Sequence, residues 1–156
     1  MLTELFQYNW QIRDEWMQWC REISYEELVK KRIGGMGSFL HTLFHVIDCE
    51  QLWVNQMWGK SVIVKDIETI KSLDDVKLYA SATCANTMLF LDEHRENFED
   101  KTLLIKTRNG DKLILPHKKI LQHIITHEVH HIGQLSIWAR ELGVAPVHSD
   151  LLTRDL

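Results

Sequence analysis

The stretch ILQHIITHEVHHIGQLSIWAREL, residues 120–142, carries four of the chain's nine histidines within a single apolar period. At about 100° per residue, Ile120, Ile124, Leu135, Trp138 and Leu142 fall on one stripe of a helix, and His131 lies near its centre. His127 falls about 40° from His131, inside the core-facing arc, whereas His123 and His130 sit roughly 80° to 100° off, toward the polar flank. Periodicity thus predicts that only His127 and His131 replace core residues. A lone histidine so placed reads as an ordinary core residue bonded to a carbonyl or water. Two imidazoles one turn apart need more, because an unsatisfied polar group in an apolar interior costs about 1 to 3 kcal/mol. One metal ion satisfies both.

The rest of the chain supplies the frame for that helix. Pro116 fits its first turn, Gly143 ends it and Pro146 lies just beyond. Before it, TLLIKT (102–107) and KLIL (112–115) flank RNGD (108–111), and an Asn-Gly pair between β-favouring runs predicts a hairpin. SLDD at 72–75 reads as a variant capping box for a helix that Val76, Tyr79, Ala80, Thr83, Thr87, Phe90 and Leu91 carry toward Phe98. Ser38 caps another, roughly 30 Å long, that reaches about Trp58 and ends at Gly59. It is apolar on more than one side, so it belongs between neighbours. Residues 2 to about 23 space Leu5, Ile12, Trp16, Trp19 and Ile23 as a first amphipathic helix, and GGMG at 34–37 interrupts any continuation. The expected fold is all-α: a four-helix bundle with a small β-hairpin before the last helix, one domain over residues 1–156.

Composition narrows the function classes. With 156 residues and 45% hydrophobic content the chain can bury a real core. A net charge of -4 argues against a nucleic-acid or anionic-membrane surface, and Lys30, Lys31 and Arg32 read as a solvated helix end. No basic leader or membrane-length apolar run is seen, so a cytoplasmic protein is expected. Cys20, Cys49 and Cys84 are odd in number and lack a CxxC spacing, which predicts reduced thiols. The six tryptophans are expected to pack the core, some of them beside a pocket.

Two histidines under-coordinate a transition metal, so a third ligand must come from another helix. The second helix offers His41, His45 and Cys49 at spacings of four, with His45 the central candidate and Cys49 more simply a small buried hydrophobe. His127, Glu128 and His131 also spell H-E-x-x-H, the pattern in which two histidines bind zinc beside a glutamate base. Helical phase turns Glu128 about 100° from His127. Only Glu141, His148 and Asp150 follow within reach as a further ligand, and Gln134 and Ile137 stand where a metzincin needs glycine and histidine. Glu128 with His131 makes one Glu-x-x-His element of a di-iron bundle, but the second is missing. A mononuclear site fits the residues better.

These segments resemble the DinB/YfiT-like family, which is related to bacterial thiol-dependent S-transferases, over nearly the whole chain. HVIDCEQLW (45–53) is similar to the family's H-x-x-x-x-E-x-x-W, and HEVHHIGQL (127–135) to its H-x-x-x-H-x-G-Q. The resemblance implies His45, His127 and His131 as three ligands to nickel, zinc or a similar divalent ion. It also implies an up-down-down-up bundle and a homodimer. Ile132 departs from the arginine common at that position. Three histidines on one ion leave open positions, as catalytic sites do. The implied activity is S-transfer, in which the metal lowers the pKa of a small thiol such as bacillithiol, mycothiol or glutathione and the thiolate attacks an electrophile. The alternatives are a non-enzymatic metal-binding stress protein and a metal-dependent hydrolase that uses bound water. Glu50 and Gln134 flank the ligands; either is placed to orient an imidazole or a water, and for Glu50 an exposed surface position is an equal expectation.

Overall fold

The apolar spacing near the N-terminus folds as helix α1, Leu2–Cys20, in a computed structural model that describes residues 2–94, 98–107 and 109–156. The helix stops before Ile23. The N–H groups of Arg21 and Glu22 turn back onto the carbonyls of Gln18 and Trp19, and Ser24 then caps a short helix α2, Tyr25–Val29. Five residues hold too little of a period to show in the sequence. Arg32 differs from the expected solvated end: it pairs with Glu27 at 2.5 Å and lies over the Phe39 ring at 4.7 Å.

Helix α3, Phe39–Trp58, begins where the Ser38 hydroxyl accepts from the His41 N–H at 3.2 Å, and it ends at Gly59 in the left-handed region. Helix α4, Leu73–His94, opens on the expected box: the Ser72 hydroxyl accepts from the Asp75 N–H, and the Asp75 carboxylate accepts from the Ser72 N–H. Its expected continuation through 95–97, like Arg108 of the predicted turn, lies outside the described residues. Strands β1, Thr102–Lys106, and β2, Lys112–Pro116, pair antiparallel as the Asn-Gly signal predicts. Helix α5, His117–Glu141, starts one residue after Pro116. Pro116 is therefore its N-cap and not part of its first turn, because the same proline ends β2 opposite Thr102 with an extended ψ of 138°.

Contacts between helices give the directions. Trp10 meets Glu50 while Trp16 meets Phe39, so α1 and α3 are antiparallel. Phe44 stacks on Tyr79 and Asn55 bonds Asn86, so α3 and α4 run parallel. Phe39 packs on Trp138 and Trp53 on His123, which sets α5 antiparallel to α3. The order is up-down-down-up. Among the described residues no helix is long and apolar enough to cross a membrane.

The interior has three layers. One apolar cluster gathers Trp16, Phe39, Leu43, Ile47, Leu135 and Trp138, and the other Phe6, Val54, Phe90, Leu121 and Ile124. Between them along every long helix lies a polar layer of Arg13, Glu50, Thr87 and Glu128, none more than 1% exposed. Arg13 donates through Nε and Nη2 to both oxygens of Glu128 at 2.8 and 2.6 Å, and Nη2 also reaches Glu50 at 2.6 Å. Glu50 accepts further bonds from Thr87 at 2.6 Å and from the Trp10 indole at 3.2 Å. The two inward histidines are thus not the only polar replacements in the α5 core face. Because α5 packs against both α1 and α3, its buried arc is wide enough for Glu128 to face α1 while the histidines face α3.

Removing one member of this layer should strand buried charge. Arg13→Ala is expected to cost about 3 to 5 kcal/mol, measured by urea unfolding at neutral pH. Replacing the charges together, as Arg13→Met with Glu50→Gln and Glu128→Met, should cost clearly less, since no charge is then left unpaired.

Candidate metal centre

The Ser38 cap fixes where α3 begins and so sets His45 two turns inside it, on the face turned to α5. Across the interface, His127 and His131 stand one turn apart. Nε2 of His45 and Nε2 of His127 are 3.2 Å apart, and the three rings lie 4.6 to 4.9 Å from one another between centroids. One nitrogen from each falls within 4.8 Å of the others. Metal–nitrogen bonds of 2.0–2.1 Å put neighbouring ligand nitrogens about 2.9 to 3.4 Å apart in octahedral or tetrahedral shells. The 3.2 Å pair already matches, and the His131 nitrogen lies within 4.8 Å of both.

The surroundings keep these nitrogens available. The Gln134 carbonyl oxygen accepts from Nδ1 of His131 at 2.6 Å. An amide oxygen can only accept, so the ring proton is held on Nδ1 and the Nε2 lone pair is left free. Burial depresses the pKa of all three imidazoles, and their mutual proximity adds to the effect at His127, which falls to about 4. All three are therefore neutral and ready to ligate at neutral pH. Nδ1 of His127 is buried without a hydrogen-bond partner among the described residues, unlike Nδ1 of His131.

The remaining sequence candidates fall elsewhere. His41 and Cys49 share the α3 line, but neither joins the three-ring cluster. Burial first, then Asp48, Glu50 and Glu128, push the Cys49 thiol up to about 12. His123 is exposed and stacks edge-on to Trp53, while exposed His130 meets the Gln134 amide nitrogen at 3.3 Å. Glu128 is bound by Arg13, so the H-E-x-x-H spelling provides no base beside the histidines. Burial raises the Glu128 pKa against the pull of Arg13. Glu50, expected to orient an imidazole, bonds Arg13, Trp10 and Thr87 instead, since its position on α3 faces α1 and α4. Glu141, His148 and Asp150 are exposed, and Ile132 is buried in apolar contacts.

Two contributors escape the sequence. Arg13 sits three residues from both Trp10 and Trp16, on their stripe, and that lone charge in an apolar period was its only signal. Gly35 is the other. A Cβ there would lie 2.9 Å from Gln134 Oε1 and 3.1 Å from the Trp138 ring, and its φ is +51°. The glycine loop therefore packs directly over the residue that orients His131.

The depressed imidazoles set a pH dependence. Unfolded histidines titrate near 6.5, above the folded His127 at about 4, so the unfolded state takes up protons first as pH falls. The contribution is fully present above about pH 6.5 and lost as pH falls toward 4. The urea midpoint of metal-free protein should drop between about pH 7 and about pH 5, and drop less in His127→Gln. Equal drops in the two proteins would assign the loss to other groups.

The same architecture recurs in known proteins. The DinB family pattern matches residues 1–155. The chain is 38% identical over 155 residues to the uncharacterized protein YizA of Bacillus subtilis (strain 168), covering 99% of this chain and 96% of that protein. In fold it is similar to a DinB-like protein from Bacillus cereus ATCC 10987, with a TM-score of 0.65, 14% identity and 94% of each chain covered. With the family pattern matched from end to end, this chain belongs to the DinB family.

Proposed function

We propose that the chain holds one divalent transition metal, nickel or zinc, through His45, His127 and His131 and uses it in thiol-dependent S-transfer to an electrophile. The observation that carries this reading is the convergence of three neutral imidazoles from two helices, with no carboxylate among them. A divalent ion in such a set keeps coordination positions open and lowers the pKa of a bound thiol. The protein's own part is to hold the imidazoles unprotonated by burial and to fix the His131 proton on Nδ1 through Gln134. His45 and His127 are half-buried and not sealed, which leaves the cluster within reach of a small molecule.

The nucleophile comes from outside the chain on this reading. Burial raises the thiols of Cys20 and Cys49 to about 12 and that of Cys84 to about 11. At neutral pH such groups carry almost no thiolate, so none of them competes with a small thiol for the electrophile.

Elemental analysis of untagged protein should find about one equivalent of metal, lost on His45→Ala, His127→Ala or His131→Ala. Gln134→Ala should keep the fold and weaken metal affinity about 10- to 100-fold. Metal-loaded protein mixed with monochlorobimane and a thiol panel should turn over above metal-free protein with at least one thiol. Bound metal without turnover for any thiol would instead favour the non-enzymatic reading, and turnover with water alone the hydrolase.

A further inference from the structure

We infer that the cavity beneath the hairpin is a binding site for a small apolar carboxylate, seated beside the histidine cluster. Its floor and walls come from three elements: Trp53 of α3, Ile105 and Leu115 of the hairpin, and Lys119, Ile120 and His123 of α5. Its volume of about 310 Å³ is at the lower end of small-molecule sites.

The cavity follows from strand register. Leu103 pairs with Leu115, and both pack onto the lower apolar cluster. Ile105, two residues further along β1, points to the same side, and beneath it the helices supply no side chain that fills the space. The hairpin therefore overhangs α3 and α5 as a roof. The lining of this half-open cleft is mostly apolar and offers water few polar partners, which favours an apolar ligand there.

The chemistry of the lining selects the ligand class. Trp53, Ile105, Leu115 and Ile120 accept a flat apolar body. Among the described lining residues the polar side chains are those of Lys119 and His123, one cationic and one an imidazole, and none is a carboxylate. An acid group at that edge pairs with the Lys119 charge and accepts from an N–H of His123. The His123 ring is 5.6 Å from the His127 ring, and Trp53 closes on His123 edge-on at 6.1 Å. A ligand seated in the cavity thus lies one ring away from the candidate metal nitrogens. That this ligand is the electrophile of the reaction rests on the S-transferase reading; its binding does not.

The test uses the full chain, with and without metal, titrated calorimetrically with 2-naphthoate and with its neutral analogue 2-naphthalenemethanol. Naphthoate should bind saturably with Kd roughly 0.1 to 1 mM, and the alcohol at least about fivefold more weakly. Lys119→Ala, on the exposed rim, should bring the two ligands together. Leu115→Trp should fill the cavity and abolish binding, with Ile105→Trp as the second variant should the first not fold. Absence of saturable naphthoate binding, or binding unchanged in a folded cavity-filling variant, would overturn the inference. Binding retained by protein that neither holds metal nor turns over would uphold the cavity while removing the S-transferase reading.

Discussion

A single guanidinium, Arg13, bonded to carboxylates on two other helices, sets the relative heights of the bundle. Glu50 brings in α3, Glu128 brings in α5, and Thr87 ties α4 to the same carboxylate that Arg13 holds. Burying three charges is costly in free energy, and apolar residues of similar volume would do as well or better for stability alone. What the layer supplies is register. Apolar burial is non-directional, whereas sliding the charges by a turn would leave each of them unpaired. His45 lies five residues before Glu50 and His131 three residues after Glu128. Because α3 and α5 are antiparallel, both steps lead the same way along the bundle, so the layer that aligns the helices also brings these imidazoles level.

Burial has opposite consequences for the two kinds of potential nucleophile and ligand here. It disfavours the charged form in each case. For an imidazole the disfavoured form is the protonated one, so His45, His127 and His131 stay neutral and keep a lone pair. For a thiol the disfavoured form is the thiolate, so Cys20, Cys49 and Cys84 stay protonated. One physical cause therefore prepares the histidines to coordinate and quiets the cysteines around them.

Features confined to one helix were legible in the sequence. The phase of 120–142 separated His127 and His131 from His123 and His130, and caps at Ser38 and Ser72 placed helix starts. The hairpin followed from its Asn-Gly turn. His45 was harder, because His41 and Cys49 share its line and only the approach of α5 distinguishes them. Features that depend on how helices meet were not legible. Glu128 faces inward because α1 covers it, Arg13 is buried because two carboxylates await it, and Gly35 matters because Gln134 lies beneath it. The cavity under the hairpin is of the same kind, a product of where the roof ends relative to the helices.

The contacts that define the centre join distant parts of the chain: Arg13 to Glu128 spans 115 residues and His45 to His127 spans 82. Synthesised from the N-terminus, the chain exposes His45 long before its partners exist, and a lone imidazole holds a divalent ion weakly. The three nitrogens meet only when α5 docks, the last of the long helices to emerge. Metal capture would then report that folding is complete, and its binding energy would act on the docked state alone. An immature or C-terminally truncated chain would lack two of the three nitrogens.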